Sequence, residues 1–508
     1  MKKGRLILTV LLMTMAAALS GCTGGKTADT PDTRITIGIP QDLDDGLDPH
    51  KVSAAGTKEI LFNIYEGLVK YDETGALIPA VASDYKVSED GLTYTFTLRD
   101  GVKFHDGSNV TAEDVIYSIE RCSKAEGGQD PLVPPFTNIS EVNKVDDKTI
   151  EIKLVAADPD FLAYMTVAII QASNDDPETK VIGTGPYKFV SHTPMESVEL
   201  EAFNDYWGEK AHIGKVTLKI VSDPAAIVMD LKGGSLDMFC RLTDSQVSEL
   251  KGSNFNIEVG TMNLAQALYL NNSVEPFNDV RVRQAICYAI DPQEIMDFVS
   301  GGEGTEIGSA AFPSFSKYYD PALNDNYNRD VEKAKELLKE AGYENGFSFS
   351  ITVPSAYTPH VKTAEVISEE LKEVGITADL KLVEWDSWLS DTYTNHNYEA
   401  TVIGIDLNPV TARNLLQRYT SDGHGNFMEF SSEKYDEVFA KAVASTDDAE
   451  QTALYKECLQ ILSDEAASAY IQDLPSFVAL NNKISGYKFY PIYAQDFASL
   501  YYIDEAND

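Results

Sequence analysis

Between residues 330 and 383 the chain alternates helix and strand with a glycine at each stop, and that rhythm restricts this half of the molecule to layered α/β architecture. Asp330 stands where a helix N-cap is needed, ahead of Val331, Ala334, Leu337, Leu338 and Ala341, and Gly342 closes the run. Residues 347–353 read as a strand. Ala364, Ile367, Leu371 and Val374 then recur at helical spacing up to Gly375, and Leu380 and Leu382 fall on the next strand. Strands alternating with helices in this way make a sheet whose strand ends face a cleft. Nearer the start, Ile35, Ile37 and Ile39 alternate as one strand, and an acidic, glycine-bearing loop follows over residues 42–49. Residues 87–107 predict a hairpin or meander. Tyr94, Phe96 and Leu98 alternate with threonines there, and Asp90-Gly91, Asp100-Gly101 and Asp106-Gly107 punctuate the turns. Thr111 with Asp114 three residues on resembles a capping box, and Val115, Ile119 and Cys122 continue the apolar face of its helix. No repeat period is evident.

A chain of 508 residues exceeds one ordinary core, so two or more lobes are expected, and a 43% hydrophobic content is enough to fill them. Its first 21 residues have the form of a secretory signal. Lys2, Lys3 and Arg5 precede an apolar stretch over residues 6–18 that is too short to remain as a bilayer span. The run Leu19-Ser20-Gly21-Cys22 resembles the bacterial lipobox, which implies cleavage before Cys22, acylation of its thiol and a membrane-anchored extracytoplasmic protein. The alternative is an ordinary secreted protein with a stray cysteine. Residues 22–33 suit a flexible tether. No second apolar run of membrane length follows.

Acidic side chains number 80 against 41 basic ones, three of which leave with the signal, so nucleic acid and anionic lipid surfaces are poor partners. Spread along the whole chain, this charge reads as a solubilising surface. Cys122, Cys240, Cys287 and Cys458 show no C-x-x-C spacing and make no disulfide framework; Cys287 and Cys458 lie in amphipathic helical patterns as packed thiols.

Several blocks, in order, are similar to one known family. They are Tyr65-Glu66-Gly67-Leu68-Val69, Pro79-Ala80-Val81-Ala82, the stretch over residues 91–107, and Thr111-Ala112-Glu113-Asp114-Val115. They continue with Gly183-Thr184-Gly185-Pro186-Tyr187, Asn204-Asp205-Tyr206-Trp207, Asp279-Val280-Arg281-Val282-Arg283-Gln284-Ala285, Ala289-Ile290-Asp291 and residues 334–343. Together they resemble the family 5 extracellular solute-binding proteins, the peptide- and nickel-binding receptors of ABC importers. The resemblance covers nearly the whole mature chain. It implies an α/β, two-lobed periplasmic-binding-protein-like fold of type II, cluster C-like, with an extra subdomain in lobe one. Lobe one is then expected over residues 34–270, with the subdomain at about 71–171, lobe two over 271–479, and a return to lobe one over 480–508. The two hinge crossings would lie near Tyr269-Leu270-Asn271 and Ala479-Leu480-Asn481. The same resemblance implies a monomer without a cofactor that captures short peptides and delivers them to an ABC permease and ATPase complex. A lipid anchor of this kind fits a Gram-positive envelope.

For the site, a zwitterionic peptide needs a carboxylate for its ammonium, donors for its own carboxylate and a backbone edge to pair with. In peptide binders of the family an acidic residue shortly after a lobe-two strand takes the amino terminus, and by resemblance that residue is Asp406, with Asn408 beside it. The competing reading is a loop aspartate or helix N-cap. Trp385 matches the family's tryptophan after a strand, as an apolar cleft wall or as core. The loop over residues 354–360 lacks the arginine that some dipeptide binders carry, leaving Tyr357, His360 or Lys362 in its place. Arg413 is a further anion partner or an exposed helical arginine. His424, between glycines, is a metal ligand if the cargo is nickel or a nickel chelate, and otherwise a turn residue. No H-E-x-x-H and no G-x-S-x-G occur, so a secreted hydrolase has no visible constellation.

Overall fold

The structure is a computed structural model that describes residues 33–43, 46–52, 54–123, 131–406, 411–423, 425–445 and 447–503. The signal over residues 1–21, Cys22, Asn408 and His424 lie outside the described residues. Two large sheets organise the chain. The first orders seven strands as Phe255–Thr261, Pro475–Asn481, Met238–Leu242, Arg34–Ile39, Lys215–Ile220, Ser197–Ala202 and Tyr187–Thr193. The second orders six as Thr305–Glu306, Ser468–Asp473, Leu264–Leu270, Ala400–Asp406, Ser348–Pro354 and Thr377–Val383. Each sheet is the spine of one lobe, and the architecture is the expected mixed α/β fold.

Local chemistry accounts for many of the elements. Asp330 accepts from Lys333 N at 2.9 Å and starts helix Val331–Glu340, and Gly375, at φ +82°, ends the turn after helix Thr358–Lys372. Asp114 accepts from Thr111 N at 2.9 Å and from its hydroxyl at 2.6 Å, at the head of helix Ala112–Ser123. The glycines of the three Asp-Gly pairs all have positive φ, between 68° and 90°. Strand Thr93–Leu98 buries Tyr94, Phe96 and Leu98 in a four-stranded antiparallel sheet with Ala82–Val87, Thr149–Leu154 and Ile139–Lys144. That sheet and the helix behind it enclose a separate core reaching from Leu68 to Ile169, a subdomain of lobe one.

Lobe two is packed on both faces of its sheet. Along strand Leu264–Leu270 the two-residue period sends Leu268 and Leu270 into a core with Phe277, Ile351 and Ile367, while Ala267 and Tyr269 enter another with Trp388, Phe427 and Tyr435. A fully buried aliphatic or phenyl side chain contributes about 1.5–3 kcal/mol. Cys122, Cys240, Cys287 and Cys458 are buried and unbridged.

The crossings between lobes differ from the expected places. Strand Phe255–Thr261 belongs to the first sheet and Leu264–Leu270 to the second, so the outward crossing is Met262-Asn263. Ser468–Asp473 belongs to the second and Pro475–Asn481 to the first, so the return crossing is Leu474. Residues 269–271 and 479–481 sit instead at the far ends of strands. Lobe one therefore runs to about residue 262 and lobe two to about 474. The physical markers are Asn263, left-handed at φ +59°, and Pro475, which opens the next strand.

Candidate ligand-binding cleft

Strand direction decides which ends of the two sheets meet. In lobe two, Ser348–Pro354 runs parallel to both Thr377–Val383 and Ala400–Asp406, so Pro354, Val383 and Asp406 end at one edge. Leu264, the first residue after the outward crossing, pairs with Asp406, which puts the hinge at that edge too. In lobe one, Arg34–Ile39 runs parallel to Lys215–Ile220 and to Met238–Leu242, and Leu242 pairs with Phe477 just after the return crossing. The carboxyl ends of the parallel strands in both lobes therefore converge on the hinge. Ligands of open α/β sheets bind at such ends.

The lobe-two wall is aromatic. Trp385 stacks on Trp388 with centroids 5.2 Å apart and planes 9° from parallel, and Tyr357 meets Trp385 edge-on at 5.3 Å. Trp388 is buried and its Nε1 donates to Thr401 Oγ1 at 2.9 Å, whereas Trp385 is half-buried and Tyr357 exposed. Trp388 thus supplies a fixed base on which Trp385 lies. His360 points into the lobe, its Nδ1 2.7 Å from Gln266 Nε2, and burial takes its pKa down to about 4. It is a neutral core residue, removed from the set that could meet an anion.

Lobe one presents charged groups. The Glu59 carboxylate, buried on helix Ala55–Leu61, receives Arg241 Nη2 at 2.6 Å on both oxygens and Gln495 Nε2 at 2.8 Å. Burial acts to lower the Arg241 pKa, and Glu59 overrides it to a net upward shift. Arg241 occupies the left-handed region at φ +59°, and the strand register shifts between Cys240 and Leu242. Two residues before Gln495, the Tyr493 hydroxyl donates to Asp406 Oδ2 across the lobes. Burial and then the Asp406 charge raise the Tyr493 pKa, with Arg241 and Glu59 also within electrostatic reach.

Tyr493 also lines a cavity of about 950 Å³ along lobe one, walled by Lys58, Phe62, Glu66, Trp207 and Tyr490. Its Glu66 is fully engaged, by Lys70 at 2.9 Å, Tyr206 at 2.7 Å and Trp207 at 2.7 Å. Asp406 differs: among the described residues no Lys, Arg or His pairs with it.

Further contacts tie the lobes at two places. At the hinge, Met262 N donates to Leu474 O at 2.8 Å and Asn263 Nδ2 to Tyr490 O at 2.8 Å. The Asp473 carboxyl beside them is fully buried, accepts from Leu264 N at 3.2 Å and is pushed by burial up to about 7. At the rim, Arg413 Nη1 reaches Asp158 of the subdomain at 3.4 Å. Burial and then the Asp158 charge raise Asp160 to about 6, with the Thr411 hydroxyl, Arg413 and Lys317 opposing.

Of the residues singled out from sequence, Asp406, Trp385 and Tyr357 come off one sheet edge, and Arg413 follows on helix Ala412–Leu416 as a bridge to Asp158. Glu59, Arg241, Tyr493 and Gln495 escaped sequence reasoning. One signal was present: Arg241 is the lone charge in the otherwise buried run Met238–Leu242. No group of three or more His, Cys, Asp and Glu among the described residues is arranged to hold a metal ion.

Comparison with known proteins agrees with this architecture. Residues 76–427 match the bacterial extracellular solute-binding proteins, family 5. Heme-binding protein A of Haemophilus influenzae is 28% identical, over 84% of this chain and 84% of that protein. The dipeptide-binding protein of Escherichia coli is 28% identical, over 84% of this chain and 87% of that protein. The structure of the periplasmic binding protein DppA of Helicobacter pylori in complex with the peptide STSA superposes with a TM-score of 0.72 at 26% identity, covering 92% of this chain and 98% of that one.

Proposed function

Because this chain belongs to the bacterial extracellular solute-binding proteins, family 5, an extracytoplasmic family, we propose that its cleft captures short peptides and delivers them to an ABC permease, with the protein held at the membrane by a lipid on Cys22. Asp406 carries the reading. Its carboxylate ends a lobe-two strand at the hinge edge and accepts from the Tyr493 hydroxyl, with no cation beside it among the described residues. A peptide ammonium completes that arrangement: it gives Asp406 a counter-charge while Tyr493, on lobe one, holds the other side of the carboxylate. Asn408 follows Asp406 two positions later in the sequence.

The aromatic wall serves the rest of the ligand. Trp385 and Tyr357 offer π-faces and edges to side chains without selecting among them, and affinity then comes from backbone and termini. Closure follows from the connection. Two crossings joined by the Met262–Leu474 hydrogen bond let one lobe rotate over the other, and a ligand touching both lobes favours the closed state by its differential affinity for the two. Among the described residues no helix is long and apolar enough to cross a membrane.

Blocking the peptide amino terminus tests the reading. Acetylated peptides should bind the mature protein more weakly than free ones by about 2 kcal/mol or more, measured by titration calorimetry. Equal affinity for the two would remove Asp406 as the ammonium partner.

A further inference from the structure

We infer that Arg241 is the lobe-one anchor for an anionic group of the ligand, the carboxylate of a short peptide if the peptide reading above holds. Four observations converge on it. First, Met238, Phe239, Cys240 and Leu242 are all buried in one strand, while Arg241 between them turns out of the sheet. The left-handed backbone at φ +59° and the register shift on either side accomplish that turn, in a conformation non-glycine residues seldom adopt. Backbone strain of this kind persists where the surroundings enforce it, and it concentrates at ligand clamps.

Second, the turn occurs at the carboxyl end of the strand, the edge facing Asp406. Tyr493 connects the two places: its hydroxyl bonds Asp406, and the Arg241 charge acts on the same phenol. Third, the guanidinium is oriented without being used up. Glu59 meets Nη2 alone, and Gln495 fixes the far side of that carboxylate. The N–H groups on Nε and Nη1 have no partner among the described residues, and a planar fork with open donors suits bidentate capture of a carboxylate. Fourth, Arg241 keeps 35% of its side-chain surface exposed while its partner Glu59 keeps 8%, so the cation faces solvent and its counter-ion does not.

Asp406 and Arg241 then form two poles of one cleft, negative on lobe two and positive on lobe one. A zwitterion lying between them engages both lobes at once, so its charge separation helps drive closure.

The test uses alanine peptides of two to five residues, each as the free acid and as the carboxyl-terminal amide, titrated into the mature protein. Wild type should prefer the best-bound acid over its amide by about thirtyfold or more. Arg241→Gln alone strands the Glu59 carboxylate and risks the fold, so the decisive variant is Arg241→Gln combined with Glu59→Gln, which removes the pair together. It should lose the preference for the acid, its affinity for the acid falling to about that for the amide, and Arg241→Lys should restore part of the preference. A double variant that keeps the wild-type acid-to-amide ratio would overturn the role of Arg241 and leave peptide binding standing. Wild-type protein that binds none of these peptides would overturn the peptide reading, and the carboxylate assignment with it.

Discussion

The two walls of the cleft are built by different physics. Lobe two holds its wall by packing: Trp385 lies on Trp388, and Trp388 is sunk in a core with Tyr269 and Phe427. Lobe one holds its wall by charge: Arg241 and Gln495 converge on a buried Glu59. Packing is indifferent to pH and salt and tolerates many ligand shapes, whereas paired charges impose direction and polarity on what binds. Under the peptide reading proposed above, one wall of each kind would separate tolerance for side chains from selection for termini.

The sharpest way to break this contrast is to remove the base of the aromatic wall. Trp388→Ala should cost about 3–5 kcal/mol in urea unfolding, with little dependence on salt, because it empties core volume and strands the Thr401 hydroxyl. On the other wall, Glu59→Ala should cost about 2–3 kcal/mol, less than a fully buried pair because Arg241 keeps partial access to water. Its loss should shrink in high salt, and a salt-independent loss of Trp388 size would show that lobe one is held by packing after all.

Where the walls join, Asp473 gives a pH signature. In the folded chain it keeps its proton up to about pH 7, and in the unfolded chain only to about 3.9. The folded state therefore binds the extra proton within that window, and stability falls as the pH rises through it. Glu370, pushed by burial up to about 8, slopes the same way. Asp473→Asn should flatten part of the fall, seen as a higher Tm than wild type at pH 8 and a similar Tm at pH 4. An unchanged difference across that range would remove the hinge carboxyl as its source. Smallest is the rim: Arg413→Ala, at a pair that is 40% and 10% exposed, should change stability by less than about 1 kcal/mol.

How much of this was legible in the sequence depended on whether a feature was local. Asp330 to Gly342 and the three Asp-Gly turns were readable because capping and positive φ are decided within a few residues. The crossings were not, because residues 255–270 form an almost unbroken β run, and only pairing with distant strands divides it between two sheets. Asn263 and Pro475 mark the breaks, but each by itself is ordinary loop chemistry. His360 was offered to the ligand from its place in a loop, and the structure spends it on Gln266, 94 positions away in sequence. Arg241 escaped for the same reason: its partner Glu59 lies 182 residues before it, and Gln495, which holds that carboxylate, lies far after it. Asp406, Trp385 and Tyr357 were candidates by resemblance, which carries the long-range information that spacing lacks, and the strands they follow or end reach one sheet edge.

The segment that returns to lobe one has a consequence in time. Tyr490 meets Asn263, Tyr493 meets Asp406, and Gln495 secures Glu59, 436 positions earlier in the chain. Strand Pro475–Asn481, which joins Met238–Leu242 to Phe255–Thr261, is likewise among the last parts to be synthesised. A polypeptide emerging amino terminus first thus has every lobe-two strand before it has a finished lobe one. The lobe-one side of the cleft is therefore complete only once its final stretch has been synthesised.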